Sequence, residues 1–244
     1  MPRLAIAVLI CTVAATPAEA GRTHFGWLSD TETVPQRGVE LQSWLLEQDG
    51  RGDPPTDQTV IWWAPVYGLT DRVELALPIE LAFTRTGTTQ TTQLLRFGAE
   101  VRWRLVDADP AEAGPFAALI RLAVKRPVAA RNIVRAESEL VLSYDAGPVH
   151  LGADVGGIFD FNTDGGDPAI IVRPGVGLSV LVAGELRLGA EAFGEIQAQG
   201  PGTTWYGVGP NFALTHGRSW LSGAFLIGLE HIDVAPRVVW AIAF

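Results

Sequence analysis

From about residue 37 onward the chain alternates apolar and polar side chains, in segments about long enough for a tilted strand of 9–11 residues. Over 73–83, Val73, Leu75, Leu77, Ile79, Leu81 and Phe83 share one side, with Glu74, Ala76, Pro78, Glu80 and Ala82 on the other. Over 95–105, Leu95, Phe97, Ala99, Val101, Trp103 and Leu105 oppose Arg96, Gly98, Glu100, Arg102 and Arg104. Successive side chains of a strand point to opposite faces, so each segment has one greasy and one charged face. The pattern returns near 118–125, 135–144, 149–155, 186–196 and 221–229, and runs to the last residue, where Phe244, Ile242, Trp240 and Val238 share a face. Segment 58–67, with Trp62 beside Trp63, and segment 170–181, apolar on both sides apart from Arg173, follow it less closely.

Roughly twelve strands result. Tight Gly- and Asp-rich turns at 68–71, 145–147, 182–184 and 216–218, with a longer one from Asp107 to Gly114, form one set of connections. The other set is 49–57, 85–92, 126–131, 161–168, 199–203 and 230–233. Short turns mostly alternate with longer polar loops, so one end of the expected structure carries turns and the other loops.

A strand that ends on an aromatic resembles the closing strand of bacterial outer-membrane β-barrels. The resemblance implies an all-β fold: a single transmembrane antiparallel up-and-down β-barrel of about 12 strands, even-numbered as bacterial barrels are. It makes Phe244 an insertion signal for the barrel-assembly machinery. It also implies outer-membrane lipid and lipopolysaccharide as surroundings, the short turns in the periplasm and the long loops outside. The start of the chain agrees. Arg3 precedes an apolar run at 4–13, and Ala18-Glu19-Ala20 fits a cleavage site, so residues 1–20 read as a signal peptide. Residues 21–36 then form a periplasmic lead-in and 37–244 the barrel. With little chain before the first strand, no plug domain is expected, and a TonB-type active transporter is disfavoured. The stretches 32–41 and 67–75 are similar to the first strand and first periplasmic turn of a group of outer-membrane transporters that includes the phenol-degradation family.

Composition fits the same picture. The chain is 48% hydrophobic with a mean hydropathy of +0.21, high for a protein with no apolar run long enough for a helical span. A formal net charge of −9 argues against nucleic acid as a partner. The one cysteine, Cys11, lies in the leader, and Ile10 stands where a lipoprotein needs a small residue. The mature chain therefore has no disulfide and no thiol nucleophile. A secreted β-sandwich also alternates. It has shorter strands, though, and no use for two aromatic belts, which here are Tyr67, Trp103, Phe116, Tyr144, Trp220 and Phe244 at one end and Phe83, Phe159, Phe161, Trp205 and Tyr206 at the other.

The charged face carries the candidate chemistry. Glu74, Glu80, Arg96, Glu100, Arg102, Arg104, Arg121, Arg135, Glu137, Glu139, Arg173, Arg187, Glu191, Glu195 and Arg237 all fall on the inner side, together with Glu40, Lys125 and Asp154. One reading is a self-neutralising network that fills a small barrel; the other is a polar path with a selectivity zone. Twelve strands lie between the side-chain-filled eight-strand barrels and open sixteen-strand porins. The expected function is passage of small polar or amphipathic solutes; the alternative is a non-conducting barrel with a structural or adhesive envelope role.

Asp160, Asn162 and Asp164 spell the first half of a calcium-loop pattern, whose twelfth position is Ile171 rather than an acid, with Asp167 nearby. Calcium is thus a candidate and no other cofactor is implied; the same residues also make ordinary Asx turns. An enzyme is not expected. His216 and Ser219 share a turn, His150 and Asp154 are about 13 Å apart along a strand, and neither a G-x-S-x-G nor an H-E-x-x-H motif occurs. Arg51-Gly52-Asp53 is explained by turn geometry.

Overall fold

The computed structural model describes residues 23–107 and 115–244. The expected signal peptide, Cys11 and most of the turn from Asp107 to Gly114 lie outside the described residues. Thirteen β segments and no helix form among those described: β1 (Val39–Arg51), β2 (Thr56–Thr70), β3 (Val73–Ala76), β4 (Ile79–Thr86), β5 (Thr89–Val106), β6 (Phe116–Pro127), β7 (Ile133–Ala146), β8 (Val149–Asn162), β9 (Ala169–Ala183), β10 (Leu186–Gln199), β11 (Trp205–His216), β12 (Ser219–Glu230) and β13 (Val234–Ala243). β3 and β4 are one strand interrupted at Leu77-Pro78. The register carries across the interruption on both sides, Ala76 opposite Val66 and Glu100, and Ile79 opposite Trp63 and Phe97. Proline has no N–H to give the ladder, which accounts for the break.

Each strand is antiparallel to its neighbours, and β1 pairs with both β2 and β13, Glu40 opposite Val66 and Ala243. The sheet therefore closes on itself as a twelve-stranded barrel with no free edge. Two-residue turns close four hairpins at one end, at 71–72, 147–148, 184–185 and 217–218; Gly147, Gly184 and Gly217 open three of them with φ of 60°, 55° and 59°, a conformation that glycine adopts without strain. The opposite end carries connections of three to six residues, except between β4 and β5, where the loop expected at 85–92 is instead strand up to a two-residue turn at Gly87-Thr88.

The alternation places grease outside. Leu122 and Val124 are 53% and 59% exposed on the outer wall, while Glu74, Glu80 and Glu100 between or beside them in the sheet are buried inside. Tyr67, Trp103, Phe116, Tyr144 and Phe244 form the outer belt at the short-turn end, and Phe161 and Tyr206 face outward at the other. Trp220 and Trp205, expected in those belts, point into the barrel instead. Each indole N–H donates to an inner carboxylate, Glu40 at 3.3 Å and Glu195 at 2.9 Å, bonds that the outer face does not offer.

The segment before β1 departs from the sequence reading. It does not lead in from outside; the described part, from residue 23, runs inside the barrel. From Gly38 at the short-turn end the chain passes Val34 and Thr31, bends at residues 26–28 about halfway up, and folds back to His24. Phe25, Trp27 and Leu28 pack with Phe193, Trp205, Leu226 and Ala235 to form an apolar cluster within the lumen. Three apolar side chains ahead of the first strand are thereby buried against an apolar patch of an otherwise polar inner wall.

Candidate functional site

The lumen is built by cross-strand register. Arg121 on β6 sits at the centre of one wall: its Nε meets Glu100 at 2.9 Å, Nη2 meets Glu137 at 2.7 Å and Nη1 meets Glu139 at 3.0 Å. Arg102 on β5 is opposite Glu74 and binds it at 2.8 Å, and its Nε holds Glu100 at 2.7 Å. Lys125 bridges Glu80 at 3.0 Å and Glu137 at 3.1 Å, while Arg96 binds Glu80 at 2.5 Å. These contacts form a continuous ladder of alternating charge from β3 to β7. Outside this ladder the pairing is sparser. Glu195 binds Arg51 at 2.7 Å and lies 3.6 Å from Arg173, and Arg135 grips Asp160 through two nitrogens at 2.7 and 2.6 Å.

Of the residues expected to line the lumen, Glu74, Glu80, Arg96, Glu100, Arg102, Arg121, Arg135, Glu137, Glu139, Arg173, Glu195 and Arg237 border one internal cavity of about 190 Å³. Eight acidic and eight basic side chains border it among the described residues. Three others sit elsewhere. Arg104 lies at the short-turn rim, bonded to the Asp71 carbonyl at 2.6 Å and to Asp107 at 2.7 Å. Arg187 lies near the same rim, with Ser179 Oγ at 3.2 Å and the Pro148 carbonyl at 3.1 Å. Both are close to strand ends, where an inward-pointing chain reaches the mouth rather than the middle. Glu191 is buried beneath the N-terminal segment.

That segment is held residue by residue. Glu191 accepts the backbone N–H groups of Gly26, Trp27 and Leu28 at 2.9, 3.0 and 3.2 Å. Consecutive amides converging on one carboxylate make an anion-binding concavity. Ser29 N–H donates to Asp154 at 3.1 Å and its hydroxyl to Glu139 at 2.8 Å; Val34 N–H donates to Glu74 at 2.6 Å. The Trp27 indole donates to the Ala235 carbonyl at 3.0 Å, and the Arg237 guanidinium stacks over Trp27 at 5.5 Å and Trp44 at 4.8 Å. Two carboxylates of the ladder, Glu74 and Glu139, thus also hold the segment.

The wall makes room for it. A Cβ on Gly152 or Gly177 would land in the Phe25 ring, and one on Gly26 would strike the β12 backbone at Ala224. These close approaches exclude side chains at three points along the insert. Sequence reasoning missed the segment because it has no period. The available signal was glycine at the inward positions 152 and 177, opposite an unplaced Phe-x-Trp-Leu.

At the neck of the insert His24 Nδ1 lies 2.6 Å and His24 N–H 3.0 Å from Asp30 Oδ2. His150, from the start of β8, brings Nε2 within 3.4 Å of Asp30 Oδ1. Burial works against the Asp30 charge, but the two imidazoles outweigh it and hold this carboxyl well below the usual carboxylate range.

In the loop expected to suit calcium, both Asp160 oxygens are engaged by Arg135, and the Asn162 side-chain oxygen accepts the Asp164 N–H at 2.9 Å and an Asn132 amide hydrogen at 3.1 Å. The pattern closes an Asx turn there. Ser219 Oγ donates to the His216 carbonyl at 3.0 Å, again a turn contact.

No protein-family model and no curated protein sequence matches the chain. Solved structures do match. An outer-membrane channel from Pseudomonas putida F1 superposes with a TM-score of 0.63 at 12% identity, covering 89% of this chain and 99% of that one. This is the fold of an outer-membrane β-barrel. The β domain of the Bordetella autotransporter BrkA (TM-score 0.52, 11% identity, 85% and 99% covered) and the NanC porin (0.52, 9%, 84% and 98%) share it. A channel, a porin and an autotransporter domain on one architecture leave the function to be argued from this lumen.

Proposed function

We propose that the chain spans the outer membrane, short turns in the periplasm and long loops outside, as a narrow channel for ions and small polar or amphipathic solutes. The N-terminal segment sets its aperture. The observation that carries this reading is the ionised cavity beside the insert. A barrel that needed only rigidity gains little from buried charge, since well-packed hydrophobic residues replace ion pairs at equal or better stability.

The reading is tested in a planar bilayer. The purified, folded protein gives discrete, small conductance steps, and loosening the segment enlarges them. A barrel that is silent both intact and with Glu191→Gln ends the proposal. It would leave the second reading, a non-conducting envelope barrel, which the same filled lumen supports.

A further inference from the structure

The neck of the insert brings together three metal-ligand side chains, of which Asp30 alone also borders the cavity. His24 and Asp30 bracket the loop that rises to Trp27, and His150 stands on the wall beside them. One ligand atom from each, an imidazole nitrogen from His24 and from His150 and a carboxylate oxygen from Asp30, lies within 4.8 Å of the others. We propose that these three residues bind a borderline divalent cation of the Zn²⁺ class, which fastens the N-terminal segment to the barrel wall.

Three observations carry it. The donor set, two imidazoles and a carboxylate, is the one such cations favour, with a fourth position left for water. His150 is 2% exposed, and its Nε2 is a buried nitrogen with no hydrogen-bond partner, aimed at Asp30. The other nitrogen, Nδ1, is 2.8 Å from Asp145 Oδ1. A carboxylate there accepts a hydrogen bond from Nδ1–H and so directs Nε2 inward, the arrangement by which outer carboxylates orient metal-binding histidines. A bare lone pair facing a carboxylate is repulsive, so either a proton or a metal ion must lie between them. His24 Nδ1, 2.6 Å from the same carboxylate, faces the same choice. The three atoms, now within 4.8 Å of one another, would close to about 3.4 Å around an ion held at about 2.0–2.2 Å, the imidazoles, their centroids 4.0 Å apart, turning toward Asp30. Binding would release the intervening protons to solvent. Two ligands come from the segment and one from the strand, so the ion would tie the neck shut and join it to β8 at once.

The test uses full-length protein without a polyhistidine tag, folded in detergent and stripped with chelator. Titration with CoCl₂ should raise the visible bands of a four- or five-coordinate N/O site, saturating at one equivalent. Calorimetry with ZnCl₂ should show one site. His24→Gln, which changes the segment and leaves the wall intact, should remove that site, as should His150→Gln. Asp145→Asn should weaken binding about ten- to hundredfold while keeping the stoichiometry. Retained heat-modifiable migration on gels certifies that each variant is folded. Absence of saturable binding in the wild type overturns the proposal. So does binding that survives both His24→Gln and His150→Gln, which would place the ion on exposed groups. Neither readout depends on conductance, so the site stands or falls apart from the channel reading.

Discussion

The Phe25 ring fills the space that a side chain at Gly177 would occupy. The three atoms nearest such a Cβ all belong to that ring, so the strand itself tolerates the addition while the insert does not. Gly177→Leu should therefore release the segment and spare the barrel. Overpacking of this kind costs about 1–3 kcal/mol, which moves a two-state equilibrium about 5- to 150-fold. The expected result is a severalfold larger conductance with unchanged heat-modifiability. Conductance equal to wild type would show that Phe25 does not limit the aperture.

Glu191→Gln replaces a carboxylate that receives three amides with a side chain offering one oxygen and a donor. Loss of charge-assisted acceptance costs about 1.5–3 kcal/mol. Hydrogen–deuterium exchange at Gly26, Trp27 and Leu28 should accelerate by one to two orders of magnitude, while β10 and β11 amides remain protected. Equal acceleration throughout would mean that the residue supports the barrel instead of the segment.

Balanced charge around the cavity makes a specific demand on selectivity. Eight acids oppose eight bases, so the wild type should discriminate weakly between potassium and chloride. Lys125→Met leaves Glu80 and Glu137 facing the lumen without their shared cation and should shift the reversal potential toward cation preference. Glu137→Gln should shift it the other way. Shifts of the same sign in both variants would remove these residues from the conducting path. Breaking a buried pair from one side also costs about 3–5 kcal/mol, so both variants should melt at lower temperature.

Leu122 lies in the middle of β6 on the outer wall. In a bilayer, Leu122→Arg should lower folding stability by about 2–4 kcal/mol, the penalty for arginine at the midplane. On a water-facing surface the same change stays within about 0.5 kcal/mol. Folding titrations into lipid vesicles decide between the two, and a negligible loss would argue against a membrane around this band.

Much of this protein is written locally. Face assignment rests on a period of two, so Glu80 inside and Leu81 outside follow from neighbours alone, and the strands and most of their connections came from the same pattern, the polar run at 85–92 that pairs as strand around Gly87-Thr88 being the exception. Tertiary structure alone decided three things. The pairing of Arg121 with three glutamates depends on the registers of β5, β6 and β7 together. Trp205 and Trp220 turned inward because partners for their N–H groups exist only there. The placement of residues 23–36 within the barrel joins Trp27 to Glu191 across 164 positions of sequence, and no local periodicity encodes a contact of that range. An aperiodic apolar segment has no preferred neighbour until the wall that receives it has closed.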